Sequence, residues 1–559
     1  VPEEGGGLGT RGAKAGTSRG LPIWMTYVAF ALFSVVVSGG FFLDGLHARW
    51  SALSGDQINI LTICAAQDHP GMFSGDEIAG QPKILNYYIP LFVWLVRLAS
   101  LPHHNYLMGL NVLLFVTSLV YLWGWWLLFR EWASPVVAAV CAFLARGVVW
   151  LPGNEVWGIA GIWSMLPRTL FLAAVPWVLW YWLRHRSAER GWYLAALAGG
   201  ALVNIHPISG LAFVGGLLTA EVAFGVGEGR PAHAILRRWV GGAAMAALGM
   251  APYVWVYFSS RGSLHRVAAS ELDAALAMRI SSRLRSVTAY IRDWMRPKVL
   301  LLGVAPWLGA WVVLARDRRQ RRPFLLAMAG LGGGCLLVAF GSAGVERVLS
   351  RIGISTHMSY ELIRGAKYVL LPSYLLAGVI AGYWAQRVGR SGNGRVQVAS
   401  VALAVLVATL VARQHVFDRV PVLQDDAVRM LCPDWVPPHF VYGWEKKTMD
   451  PALDWIRHNT MPGSRFVGPS AIRPACLRPV VHDWAASTML VQGDPEGFIT
   501  AARRERARRA ALRKGPEAQA MLYRSWGARY WMTRRTWLGH EPLYADRVWR
   551  IYDLSEAGT

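Results

Sequence analysis

Apolar runs close to the roughly 20 residues that a helix needs to cross a bilayer recur along the chain, separated by short Arg-rich segments. The first covers about 21–43. It is longer than the apolar core of a signal peptide and has no clear small-residue cleavage site, so it reads as a retained span. Further runs fall at about 105–129, 134–151, 167–184, 192–206, 209–226, 239–258, 298–315, 323–342, 366–385 and 397–413. The pattern predicts a polytopic α-helical membrane protein with about 11 transmembrane helices.

Arginine placement orients these helices. With the N-terminus inside, the short connections Arg184–Arg190, Arg230–Arg238, Arg316–Arg322 and Arg387–Arg395 are cytoplasmic, as the positive-inside rule expects. The opposite side receives the loops at about 44–104, 152–166, 259–297 and 343–365, and everything after Arg413. The run Ile84–Leu101 breaks this parity if counted as a span. It is read instead as a helix in the outer interface, where Tyr87, Tyr88 and Trp94 suit the headgroup depth. The 259–297 loop, with Arg261, Arg266, Arg279, Arg283, Arg285 and Arg292 among apolar residues, is expected to lie on the membrane surface.

Composition fits this picture. Of 559 residues, 54% are hydrophobic and 16% charged, against about 25% charged in a typical soluble chain. Disorder of the body, a collagen-like repeat and a disulfide-rich scaffold are excluded. A net charge of +23 in a soluble protein would suggest nucleic acid. Here much of the Arg sits in short loops, so no nucleic-acid partner is expected. Residues 1–20, Gly-rich and basic, read as a disordered cytoplasmic tail; 21–413 form the transmembrane domain, and 414–559 a small extracytoplasmic α/β domain. In that last part Asp450–Thr460 predicts a helix opened by an Asp cap with Pro at its first position, and Glu496–Lys514 a basic helix. Strands are predicted at Arg465–Gly468, at Pro479–Asp483, and within Trp526–Thr533 and Val548–Leu554. Cys432 and Cys476 share this part, and their pairing is left open.

The chemistry signal lies in the first outer loop. It holds Asp44, Asp56, Asp68, Asp76 and Glu77 against Arg49 and Lys83, in an otherwise cationic protein. Carboxylates there suit a base, a metal or a cationic transition state. Along it run Ser54-Gly-Asp-Gln-Ile-Asn-Ile60, His69-Pro-Gly-Met-Phe-Ser-Gly-Asp-Glu77 and Gln81-Pro-Lys-Ile-Leu-Asn-Tyr-Tyr-Ile-Pro-Leu91. This order resembles the GT-C superfamily of membrane glycosyltransferases, which place an Asp motif on an interfacial helix after the first span and a Lys/Pro- and Tyr-rich segment before a second. Pro167-Arg-Thr-Leu170, Ile205-His-Pro207, Leu453–Phe466 and Val480-Val-His-Asp483 resemble segments of a bacterial group within that superfamily. Asp56 is followed by Gln57 where the common pattern has a second acid, and the basic segment reads Pro-Lys-Ile-Leu rather than Lys-Pro-Pro-Leu.

The resemblance implies transfer of a sugar from a polyprenyl-phosphate carrier to an acceptor on the outer face of the cell membrane. Asp56 matches the family's acidic position and would act as catalytic base; Lys83 matches the basic residue that follows. Glu361, Arg364 and Lys367, on neighbouring helical turns before a late span, would meet the carrier phosphate, where Arg offers a fork and Lys a point charge. Arg168 opens a span after an outer loop and could face the same cavity or the headgroups. Asp76, Glu77 and Glu155 are acceptor or metal candidates, with turn capping or a solvated loop as the competing readings. A divalent cation is a candidate cofactor of unknown site. His206-Pro207, at a helix break, reads as a satisfied structural His. No Walker loop, strand-linked GxGxxG or HExxH is present. Membrane lipid is an expected partner, and the C-terminal part could bind proteins. Two other functions stay open: a non-catalytic GT-C-like scaffold subunit, and a transporter, which the lack of inverted repeats and of midplane charge disfavours.

Overall fold

A computed structural model describes residues 23–81, 90–145, 159, 162–259, 267–279, 297–313, 318–351, 359–390 and 448–555. These fall into two compact units. The first draws on the segments Val1–Leu43, Leu114–Tyr253 and Arg283–Val436, the second on Asp44–Leu113, Val254–Ser282 and Pro437–Thr559. The units do not follow chain order. The first outer loop and the C-terminal part, expected in separate domains, share the second unit.

Among the described residues six helices are long and apolar enough to cross a membrane, within Trp24–Leu43, Tyr106–Phe129, Pro207–Gly227, Ala232–Tyr257, Arg322–Leu349 and Ser359–Val388. Helices Pro135–Ala145, Pro167–His185, Glu189–Ala201 and Pro297–Val313 fall at further expected spans. The expected span at 397–413 lies outside the described residues. Helix Arg318–Arg351 outruns its expected end at 342 by nine residues. Residues 345–351, Val-Glu-Arg-Val-Leu-Ser-Arg, contain no Gly or Pro to stop it.

Two devices hold the first unit. Helix Arg318–Arg351 packs closely along helix Pro207–Gly227 because glycines remove the side chains between the backbones. A Cβ on Gly334 would meet the Gly215 carbonyl oxygen at 2.2 Å, and one on Gly330 the Thr219 carbonyl oxygen at 2.6 Å. The second device is a buried carboxylate. Glu221, 3% exposed, accepts from Trp182 Nε1 at 3.0 Å, Arg238 Nε at 2.7 Å and Arg230 at 3.3 Å. One acid thereby joins three helices and neutralises part of an Arg-dense end.

In the second unit the C-terminal strands β1 (Phe466–Val467), β2 (Tyr530–Thr533), β3 (Tyr544–Ala545) and β4 (Arg550–Asp553) form one sheet in the order β1-β2-β4-β3. β1 runs parallel to β2; the other pairs are antiparallel. The strand expected at 479–483 contributes only a bridge from Val480 to Phe466. Helices Asp450–Asn459 and Pro495–Lys514 form as expected. Asp450, however, does not cap its own helix. Its carboxylate accepts from the Trp50 and Ser51 backbone N–H groups and the Ser51 hydroxyl at 2.9, 3.3 and 2.8 Å. Those donors open the 3-10 turn Trp50–Ala52 of the first loop, where an anion best satisfies free N–H groups.

Helix Ala269–Arg279 also departs from expectation. Leu272, Ala275 and Leu276 repeat at helical spacing and are buried, and the helix packs against Pro495–Lys514. Glu271 pairs with Arg503 at 3.0 Å, and Arg279 donates to the Ala485 carbonyl at 2.8 Å. Its apolar stripe is spent on protein, so this part of the loop does not lie on the membrane surface through that face.

Buried charge sits at the centre of the second unit. Arg473 is fully buried and donates to Asp76 at 2.8 Å and to Asp483 at 2.5 Å. Asp76 also accepts from the backbone N–H groups of Ile78, Ala79 and Val480 at 2.8, 2.8 and 2.6 Å. Beside it His482 lies between Glu77 at 3.1 Å and Glu505 at 3.3 Å. Burial pulls the His482 pKa down, but hydrogen bonds and charge from Glu505 and Glu77 outweigh it and hold the ring above its ordinary value. Burial opposes ionisation of Glu505, yet hydrogen bonds from His482, Arg508 and Arg509 hold its carboxyl well below the usual range.

Replacing Arg473 by Met leaves two buried carboxylates facing each other and should cost about 3–5 kcal/mol. Thermal unfolding of the detergent-solubilised protein and protease sensitivity of the second unit check this; an unchanged melt would refute the network's weight. The pH response has a defined sign. The His482 contribution is complete below its ordinary value of 6.5 and is lost as pH rises through the higher folded value. That of Glu505 is present above its ordinary 4.5 and is lost as pH falls through the depressed value. Stability of this unit should therefore decline on the alkaline side in the wild type, and a His482→Gln variant should flatten that limb.

Candidate functional site

Helix Gly55–Asp68 presents Asp56. Ser54 caps it with a full capping box: its hydroxyl accepts from the Gln57 N–H at 3.3 Å, and the Gln57 amide oxygen accepts from the Ser54 N–H at 3.0 Å. Position 57, where the family pattern has an acid, is therefore committed to starting the helix. Residues 57–66 are buried, while Asp56 in the first turn is exposed. Among the described residues it has no ion-pair or hydrogen-bond partner, so its carboxylate is available to a substrate. At the other end Asp68 binds Arg97 at 2.6 Å and the Tyr106 hydroxyl at 2.8 Å. It thereby fixes the helix against helix Pro90–Ser100 and the start of helix Tyr106–Phe129.

Helix Pro90–Ser100 carries the end of the expected interfacial segment. Phe92, Val93 and Val96 are buried, whereas Leu91, Trp94 and Leu98 are exposed. Lys83 lies outside the described residues, as does Glu155.

Asp76 and Glu77 take structural positions. Asp76 caps the turn at 78–79, and its other oxygen is held by Arg473 and Val480. Glu77 accepts from the Asp483 N–H at 2.9 Å and meets His482 and Arg504. Both are buried among protein donors. The capping reading thus holds for Asp76, and neither acid is displayed to an acceptor or a metal. Among the described residues no three His, Cys, Asp or Glu side chains are grouped to hold a metal ion, so no ligand set for a divalent cation is identified there. Cys476 is a free, buried thiol donating to the Leu453 carbonyl; Cys432 lies outside the described residues.

The cationic candidates gather in the first unit. Residues Ile363–Val369 form a 3-10 helix ahead of helix Leu370–Arg390. With three residues per turn, Arg364 and Lys367 are eclipsed on one side. Glu361 pairs with Arg364 at 2.9 Å, and Lys367 is buried at 8% exposure. The neighbouring Tyr368 hydroxyl bonds the Ser209 hydroxyl, and Ser209 in turn meets His206 Nδ1 at 2.6 Å. His206 thus caps helix Pro207–Gly227, the structural role expected of it. The Tyr368 ring also stands edge-on to Phe171 at 5.5 Å, one helical turn after the half-buried Arg168. Packing therefore brings the Arg168 turn, the His206 break and the Arg364–Lys367 segment into one neighbourhood. Sequence reasoning missed Ser209 and Tyr368, the two hydroxyls that join them; neither belongs to a recognisable motif.

No protein-family model and no curated protein matches the sequence. Among solved structures the chain is similar to ArnT from Cupriavidus metallidurans bound to undecaprenyl phosphate, with 14% identity and a TM-score of 0.50. That match covers 95% of this chain and 98% of the other. It also aligns with the oligosaccharyltransferase AglB from Archaeoglobus fulgidus, in complex with an inhibitory peptide and a dolichol-phosphate. There the identity is 12% and the TM-score 0.41, over 91% of this chain and 69% of that one. With its membrane-length helices, the chain is a polytopic helical membrane protein of GT-C-like fold.

Proposed function

We propose that the protein is a glycosyltransferase that moves a sugar from a polyprenyl-phosphate-linked donor to an acceptor on the outer face of the membrane. The observation that carries this reading is the pairing of the GT-C-like fold with a displayed carboxylate at the family's acidic position, Asp56 on a capped helix. The fold neighbour's bound undecaprenyl phosphate supports a lipid-phosphate carrier.

In this mechanism Asp56 takes the proton from an acceptor hydroxyl as its oxygen attacks the anomeric carbon. The bond from that carbon to the carrier phosphate breaks, and the phosphate leaves with the electron pair. Arg364, Lys367 and Arg168, gathered in the first unit, are the cations offered to a carrier phosphate. The Glu361 ion pair orients Arg364 and is exchanged in part for the phosphate.

Sidedness follows from charge. The Arg-dense connections at 184–190, 230–238 and 316–322 belong to the cytoplasmic face under the positive-inside rule. Parts of three segments assigned by the same rule to the outer face, 44–104, 259–282 and the stretch from Pro437 onward, make up most of the second unit. The reading therefore has eleven spans, an inside N-terminus and an extracytoplasmic second unit, in a cell membrane.

Incubation of the purified protein with polyprenyl-phosphate-linked sugars tests the chemistry. Asp56→Asn should reduce sugar transfer or release by about 10²–10⁴-fold, the usual worth of a general base, with an unchanged melting profile. Absence of turnover with any carrier, alongside stable co-purification with other subunits, would replace the enzyme by a scaffold. Lys367→Gln should weaken undecaprenyl-phosphate binding by roughly tenfold, the loss of one charge-assisted bond of about 1.5 kcal/mol; equal affinity in wild type and variant would remove Lys367 from the phosphate site.

A further inference from the structure

The second unit contains a cavity of about 640 Å³ that the mechanism above does not use. Its size falls within the roughly 300–1,000 Å³ of small-molecule sites. Its walls combine indoles and arginines in an unusual balance. Trp531 and Trp549 are buried at 4% and 6% exposure, and Trp484 stacks at 5.8 Å on Phe498 behind it. Arg279, Arg534 and Arg535 line the same space.

The charges are uncompensated. Of the cavity's arginines, Arg508 is held by Glu505 at 2.7 Å. Among the described residues the one lining carboxylate, Asp483, is committed to buried Arg473. Arg279, Arg534 and Arg535 have no carboxylate within ion-pair distance among the described residues. Three like charges at the rim of one space repel, and an anion among them relieves that repulsion.

A second observation points to a ligand independently. The Trp549 indole N–H is buried and has no acceptor among the described residues. Arg279 Nε is likewise buried without a partner, although its other nitrogen reaches Ala485. Buried donors are normally paired, and leaving one unmade costs about 1–3 kcal/mol. Arg534 lies over the Trp549 ring at 4.6 Å, and both residues line the cavity.

We infer that this cavity is a binding site for an anionic saccharide, a sugar bearing phosphate or carboxylate, separate from the turn that carries Asp56. The arginines take the anion, the indole N–H takes a sugar oxygen, and the exposed C–H face of the ring lies on tryptophan. The choice of a sugar body over another flat or ring-shaped one rests on the proposed glycosyltransferase function; the choice of an anion rests on the cavity alone.

Titration calorimetry on the full-length protein in detergent tests this, with glucose 1-phosphate, glucose, inorganic phosphate and adenosine monophosphate as separate probes. Glucose 1-phosphate should bind at least tenfold more tightly than glucose or phosphate alone. The double variant Arg534→Gln/Arg535→Gln alters exposed side chains, so it should fold, and should lose at least tenfold of that affinity. Trp549→Phe keeps an aromatic face but deletes the donor and should lose severalfold. Adenosine monophosphate binding as tightly as the sugar phosphate, or phosphate alone doing so, would overturn the saccharide assignment. Equal affinity in wild type and the double variant would overturn the site. These readouts need no turnover: binding in a protein that transfers no sugar would sink the enzymatic reading and keep an anion site, whereas transfer without binding here would do the reverse.

Discussion

The second unit depends on one buried cation. Arg473 has no water to solvate it and is held instead by Asp76 and Asp483. Taking a guanidinium and two carboxylates out of water costs several kcal/mol per ion, so the cluster is tolerable only when every donor and acceptor is met. Here backbone N–H groups at 78, 79 and 480 complete Asp76, and the Ala486 N–H completes Asp483. The arrangement is less a source of net stability than a lock: the first loop and the C-terminal strands fit together in the register that closes the network. Asp450, bonded to Trp50 and Ser51, repeats the device at a second point. The helix bearing Asp56 lies between these two anchors along the chain, which is how an exposed carboxylate can have a fixed position.

The first unit solves a different problem. In a bilayer the hydrophobic effect no longer drives helices together, so close backbone approach and internal polar bonds do so. Gly215 facing Gly334 supplies the first, and Glu221 with Trp182 and Arg238 the second. The short 3-10 stretch at 363–369 then departs from α geometry where Arg364 and Lys367 stand. Tighter winding aligns these side chains along the axis, an arrangement that 3.6 residues per turn would splay by about 60° over one such step.

Much of the helical framework was legible because a bilayer imposes its thickness on the sequence, and arginine records its sides. The run at 84–101 reads as interfacial from parity and its aromatic residues, and its described part, Pro90–Ser100, is helical. The serine and glutamine at 54 and 57 spell a capping box that can be read directly. What could not be read were pairings between distant segments. Asp76 and Glu77 look like a displayed acidic pair because the side chains that pair with them lie about 400 positions away. Arg473, in a run of small apolar residues, gave the only hint, since a lone guanidinium there must find an acid. Asp450 before Pro451 mimics a helix cap so well that local rules chose the wrong recipient. The helix at 269–279 reads as lipid-facing from sequence for a related reason: an apolar stripe does not say what covers it.

The distance along the chain between the Arg473 cluster's members sets an order of events in biogenesis. Asp76 and Glu77 leave the ribosome hundreds of residues before Arg473 and His482. Until the late segments arrive, both acids must stay hydrated, and the loop bearing Asp56 has only its own helix cap and the Asp68 tether to shape it. Maturation of that loop is therefore postponed to the end of synthesis, so a chain truncated before position 473 would insert its helices while its acidic turn stayed unassembled.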